Sequence, residues 1–138
     1  MIAYVDASVL LRLLLREPKP LASWHEVTTT VSSALIEVEC LRTLDRLRFR
    51  GKLDDDDLAR IRDSALRMIV GFDLVQPSPS VLRRAAEPFA TPLGTLDGVH
   101  LATAMAWRDG KDQAIVVATH DTELAQGARA HGFSVIGA

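Results

Sequence analysis

The stretch Ile2-Ala3-Tyr4-Val5-Asp6-Ala7-Ser8-Val9-Leu10-Leu11 sets the frame for the whole chain. Ile2–Val5 is a short apolar, β-prone run that ends on a carboxylate, which predicts a buried strand. A dense leucine stripe follows at once over Val9–Arg16, and Ser8 is placed to cap that helix. An acid at the joint between a buried strand and a helix is either a structural cap or a functional group at the end of a sheet.

Outward from that joint the same alternation repeats. Pro18 and Pro20 stop the first helix, and Ala22–Val27 reads as a helical turn or two. Thr28–Val31 is a second strand candidate, with Ser32 or Ser33 capping a long helix to about Arg50, and Gly51 ends it. Asp54–Asp57 is the negatively charged start of a helix to Val70, more in keeping with a solvated helix start than with a metal site. Phe72–Val75 is a short strand, Pro77 and Pro79 mark a turn, and Ser80–Phe89 is helical. The loop Thr91–Leu96 leads to Asp97, which is placed to cap a helix through Trp107. Ala114–Ala118 is the clearest buried strand, Thr119–Asp121 makes the turn, Thr122–Ala130 is helical and Phe133–Ile136 is a final strand. Strands alternating with helices predict an α/β sandwich on a parallel sheet with helices on both faces.

Composition narrows the function classes. The 138 residues suit one domain spanning 1–138, with no repeat, low-complexity tract or linker. Sixteen basic against eighteen acidic residues give a formal charge of −2, which argues against a protein that coats duplex DNA. A cluster of acids around bound cations would locally reverse that sign. The basic residues are uneven: Arg42, Arg46, Arg48, Arg50 and Lys52 fall close together. Cys40 alone permits neither an internal disulfide nor a thiolate zinc cluster, and the four histidines lack paired ligand spacing. With no signal segment and no membrane-length apolar run, the chain reads as cytoplasmic with no membrane association.

In an open parallel sheet, sites form beyond the C-terminal ends of the strands. Asp6 follows the first strand directly, Asp121 lies three residues past Ala118, and Asp97 opens a helix from a loop. Read singly, each is also explained as a cap or a favourable helix-dipole charge. Read together, they predict a meeting of carboxylates, which suits magnesium, a hard ion that prefers oxygen ligands. Helical periodicity does not select the acid of the second helix. Glu39 shares a side with Leu35, Arg42 and Arg46, which also fits an exposed pair with Arg42, whereas Glu37 lies nearer Leu41 and Leu44 and reads as the buried acid.

Four segments carry a family resemblance. Tyr4-Val5-Asp6-Ala7-Ser8-Val9-Leu10-Leu11 resembles the opening of PIN domains, particularly VapC-type toxins of bacterial toxin–antitoxin pairs. Ser32-Ser33-Ala34-Leu35-Ile36-Glu37-Val38-Glu39-Cys40-Leu41-Arg42 resembles their second motif, Leu96-Asp97-Gly98-Val99-His100-Leu101-Ala102-Thr103-Ala104 the third, and Ala118-Thr119-His120-Asp121-Thr122-Glu123-Leu124 the fourth. The motifs run in order along essentially the whole chain.

The resemblance implies a PIN-like three-layer α/β/α sandwich with a mostly parallel central sheet. It implies a magnesium-dependent endoribonuclease, with manganese as the alternative ion, whose acidic set is Asp6, Glu39, Asp97 and Asp121. Asp6 and Asp97 would be the principal metal ligands, Glu39 and Asp121 would complete the cluster, and Ser8 and Thr119 would orient ligands or water. Its implied partners are an RNA substrate, a cognate VapB-type antitoxin and a second copy in a homodimer. Arg42 and Arg46 would meet RNA phosphates or antitoxin acids. Two departures stand out: His120 adds a titratable group before the fourth acid, and Gly98 follows Asp97 where alanine is usual.

Other residues have plainer readings. His100 reads as a packed histidine with one hydrogen bond, Trp24 and Trp107 as core or interface before base stacking, and Cys40 as a small buried hydrophobe. A non-catalytic module holding a basic partner segment in an acidic groove is the alternative function. A dehalogenase-like phosphatase or a receiver domain fits poorly, since Asp6 is followed by Ala7-Ser8 rather than a second nearby acid.

Overall fold

The computed structural model describes residues 1–138. Five strands, β1 (Ile2–Val5), β2 (Thr29–Ser33), β3 (Asp73–Val75), β4 (Val116–Ala118) and β5 (Ser134–Ile136), form one sheet in the order β3-β2-β1-β4-β5. Every pairing is parallel, so the sheet is wholly rather than mostly so. Six helices join them: α1 (Ala7–Leu14), α2 (Ile36–Phe49), α3 (Asp55–Val70), α4 (Pro79–Ala86), α5 (Thr95–Lys111) and α6 (Thr122–Ala130), with a 3₁₀ segment at Ala22–Glu26.

The alternation of side chains along β1 divides the core. Tyr4 faces one side with Leu101 and Ala104 of α5 and Leu124 and Ala128 of α6, while Ala3 and Val5 face the other with Val9 of α1 and Leu21. A third cluster, Ala7, Leu10, Ile36, Cys40 and Ile69, ties α1, α2 and α3 together. Leu101 is fully buried, and truncating such a side chain to alanine costs about 2–5 kcal/mol.

The topology fixes where a site forms. From β1 the chain steps to β2 and β3 on one side, then returns across β1 to β4 and β5 on the other. The reversal opens a crevice at the C-terminal ends of β1 and β4. Their last residues are level, with Val5 paired to Ala118, and the Asp6 amide donates across to the Ala118 carbonyl at 3.4 Å.

Three expected caps fall elsewhere. Asp6 itself caps α1: its backbone is extended and its side chain accepts from the Val9 amide, leaving Ser8 inside the helix. The helix also ends at Leu14, short of Arg16, with the Leu15 amide still donating to the Leu11 carbonyl at 2.9 Å. Ser32 and Ser33 belong to β2, and neither caps α2. The Ser32 hydroxyl donates to the Val5 carbonyl at 2.6 Å, tying β2 to the end of β1, and Ser33 Oγ accepts from the Leu35 amide. α5 begins two residues before Asp97, with Gly94 at its N-cap, so Asp97 is a first-turn residue rather than a cap. Asp54, in contrast, caps α3 as its acidic run implied, and Gly51, at φ +71°, closes α2 in the left-handed region that glycine tolerates.

Candidate functional site

Asp6 is held more tightly than any other acid of the crevice. Buried to 5% exposure, it accepts the Ser8 hydroxyl at 2.6 Å on Oδ1 and the Thr119 hydroxyl at 2.8 Å on Oδ2, besides the Val9 amide. Burial still wins: it raises the carboxyl above its ordinary value against the opposing pull of both hydroxyls, of His100 and of the Val9 amide. The Thr119 hydroxyl also accepts from the Asp121 amide at 2.9 Å, and the Ser8 hydroxyl accepts from the His120 amide at 2.9 Å. These two hydroxyls therefore lock the turn after β4 to the turn after β1. Asp121 caps α6 through the Leu124 amide at 2.9 Å.

Asp97 meets the same group of charges without such support. Its carboxyl is pushed up to about 6, first by partial burial and then by the negative charges of Asp121 and Asp6. Asp97 therefore feels the charge of both Asp121, after β4, and Asp6, after β1. They do not close into a cage, since no three His, Cys, Asp or Glu side chains converge tightly enough to hold an ion between them.

Glu39 joins the rim from α2 by another route. It is part-buried, and its Oε1 lies 2.6 Å from His100 Nε2. Glu37 is exposed, so the acid that periodicity favoured is not the buried one. The expected pair with Arg42 is absent too, because Arg42 bonds Asp45 at 3.0 Å. His100, 2% exposed, has two partners rather than one: its Nδ1 lies 2.6 Å from the Tyr4 hydroxyl. Burial works against a charged ring, but Glu39, with Asp6 and Asp97 beyond it, outweighs burial and raises the imidazole above its ordinary value. Tyr4 is the residue that sequence reasoning missed. The available signal was a phenol on a fully buried strand, since a buried Tyr hydroxyl needs a partner.

Beside Glu39, a groove of about 370 Å³ runs between α1, α2 and the start of α5, lined by Leu35, Val38, Arg42, Thr43, Arg46 and Leu96 among others. The Arg46 guanidinium donates to the Thr43 hydroxyl at 3.3 Å. Trp24 and Trp107 pack against the two faces of the core, in line with their plainer reading.

A family model described as PIN domain matches residues 3–130. The chain belongs to the PIN-domain family. Ribonuclease VapC46 of Mycobacterium tuberculosis is 33% identical over 136 residues, covering 96% of this chain and 95% of that protein. Among solved structures, PAE2754 from Pyrobaculum aerophilum superposes with TM-score 0.63 at 23% identity, covering 97% of this chain and 83% of its own. A toxin–antitoxin complex from Klebsiella pneumoniae gives 0.62 at 17% identity, covering 93% of each chain. VapBC2 of Rickettsia felis, bound to a DNA fragment from their promoter, gives 0.61 at 12% identity over 98% of this chain and 97% of that one. At those identities the three structures speak for the PIN fold alone.

As a metal site, the PIN rim of this chain fits in its chemistry. Its donors are hard carboxylate oxygens, and the burial and neighbouring negative charge that raise Asp97 are both offset by a divalent cation. Magnesium usually takes only one or two carboxylates and completes its shell with water and phosphate oxygens, so a cage of three side chains is not required.

Proposed function

We propose that this chain is a VapC-type endoribonuclease, the toxin of a type II toxin–antitoxin pair, that hydrolyses RNA phosphodiester bonds with Asp6, Glu39, Asp97 and Asp121. The observation that carries the reading is that Asp6 and Asp121 follow β1 and β4, the paired strands at which the sheet reverses, and this is supported by Asp97 feeling the charge of both. Near-full-length similarity to a protein named as a ribonuclease supports it.

Magnesium, or manganese in its place, supplies Lewis acidity for the phosphate and an activated water at sites of this kind. Asp6 and Asp97 are the principal ligands in this reading, with Glu39 and Asp121 completing the set directly or through water. Ser8 and Thr119 fix both oxygens of Asp6, which sets the direction of its remaining lone pairs. Thr119 also fixes the Asp121 amide, so two acids from separate turns keep one spacing. Attack by water in line with the leaving oxygen leaves 5′-phosphate and 3′-hydroxyl ends. Arg42 and Arg46, in the groove beside Glu39, bind RNA phosphates or the acids of a VapB-type antitoxin. The working unit is a homodimer, and the whole chain is one domain.

Purified wild-type protein should cleave RNA in a manner abolished by EDTA, and sequencing of 5′ ends after induced expression should map the cut. Asp6→Asn and Asp97→Asn should each remove cleavage and relieve growth arrest while retaining the fold by circular dichroism. Full activity in both variants defeats the mechanism.

A further inference from the structure

Behind Glu39 a line of buried polar side chains runs from α2 through α5 into β1. Tyr4, His100 and Thr103 are exposed by 1%, 2% and 0%, yet each polar atom along the line has a partner. The Ser33 amide donates to the Tyr4 hydroxyl oxygen at 3.2 Å, the Tyr4 hydroxyl lies 2.6 Å from His100 Nδ1, and His100 Nε2 lies 2.6 Å from Glu39 Oε1. The Thr103 hydroxyl donates to the Val99 carbonyl, one turn back in α5. The Tyr4 and His100 rings meet edge to face, with centroids 5.8 Å apart and planes at 71°.

Donor counting orders the protons. The Ser33 amide takes one acceptor position of the Tyr4 oxygen, and the 2.6 Å contact to Nδ1 is made by the phenol hydrogen when the ring is neutral and by the ring hydrogen when it is charged. Burial holds the phenol protonated, raising it well above its ordinary value. A carboxylate oxygen accepts, so the 2.6 Å contact to Glu39 Oε1 puts a hydrogen on Nε2 in either state of the ring. One Glu39 oxygen is thereby committed to the interior, and the other is left for the groove that Glu39 lines.

We propose that His100, held by Tyr4, is the positioning residue of this site: its Nε2–H fixes the Glu39 carboxylate so that the free oxygen is presented to the cation and substrate. The arrangement parallels the outer partners that orient metal-binding side chains elsewhere. α2 alone gives Glu39 no such anchor, because a glutamate near the start of a helix has several rotamers open to it. The proposal rests on the reading that Glu39 belongs to the acidic set.

The test compares full-length His100→Leu, His100→Gln and Tyr4→Phe with wild type. Manganese affinity is read by titration calorimetry, RNA cleavage by kcat and KM, and integrity by thermal unfolding. His100→Leu should weaken manganese binding about 10–100-fold, the usual cost of losing an outer partner, and lower kcat with little change in KM. His100→Gln, whose amide can replace the Nε2 donor, should restore most of both, and Tyr4→Phe should fall between. Adding His100→Leu to Glu39→Gln should cost little more than Glu39→Gln alone, since His100 acts on the site through Glu39. Wild-type manganese affinity and kcat in folded His100→Leu or Tyr4→Phe overturn the proposal. So does a folded His100→Gln as impaired as Glu39→Gln, a comparison that holds even where the leucine variant does not fold. Absence of RNA cleavage by the wild type, with the manganese ranking intact, would instead sink the proposed function and spare the positioning role.

Discussion

Asp6 and Asp97 face the same rim and live under opposite conditions. Asp6 stands at the end of the central strand, with hydroxyls on both oxygens and a backbone amide besides. Asp97 stands in the first turn of α5 and is raised to about 6 by burial and by its acidic neighbours. The difference teaches a division of labour. The sheet side of the crevice is organised before any ligand arrives, and the helix side carries an electrostatic debt that a cation would relieve.

The largest effect on stability should come from breaking the organised side. Thr119→Val keeps the shape but deprives Asp6 Oδ2 of its donor and the Asp121 amide of its acceptor. Leaving such groups unpaired costs about 1–3 kcal/mol, measurable as a lower midpoint in urea, and cleavage should fall about 10–100-fold. Ser8→Ala removes one donor from Asp6 and the acceptor of the His120 amide, and should cost about 1 kcal/mol in the same assay. If both variants match wild type in stability and rate, the claim of a preorganised sheet side fails.

Asp97→Asn probes the other side and should act in the opposite direction. An acid raised from 3.8 to about 6 costs stability where it is ionised, a penalty that grows between those values and is complete above them. At pH 7.5, without divalent cations, the variant should therefore be more stable, by no more than about 1 kcal/mol once solvent screening at a half-buried side chain is allowed for. Added magnesium should raise the melting temperature of wild type more than that of the variant. Equal shifts would mean that Asp97 takes no part in holding the ion.

The smallest effect separates charge from backbone. A Cβ at Gly98 would sit 3.4 Å from a Phe89 ring carbon, an ordinary contact, so Gly98→Ala should fit. Its gain in helix propensity should stabilise the fold by about 0.5–1 kcal/mol with cleavage retained. A loss of cleavage would show that the start of α5 needs its looseness as well as its charge.

Much of this arrangement was legible in the residues, for identifiable reasons. β1 and α6 announced themselves because an apolar run meets an acid at one and a threonine-led helix follows Asp121 at the other. The residues offer both Ser8 and Asp6 as caps of α1, and only the extended backbone at Asp6 decides between them. The choice of Glu39 over Glu37 came from the family resemblance. Periodicity pointed the wrong way, because Glu39 is drawn inward by a histidine 61 positions further on. Neither that contact nor the role of Tyr4 has a local signature, as both are made by the crossing of α5 over β1. The sheet order, which turns scattered acids into neighbours, likewise depends on long-range pairing.

Cys40 sits one residue after Glu39, fully buried among α1, α2 and α3, and burial, with Glu39 and Asp6 adding to it, pushes its thiol up to about 12. As the sole cysteine, it is a natural stopwatch for breathing of the helical layer that carries Glu39. A thiol reagent can label it only during openings of that layer, so the labelling rate in native buffer times those excursions directly. Slowing of that clock by a cation, an RNA or a bound partner would measure how far each one clamps α2, without a fluorophore or an engineered probe.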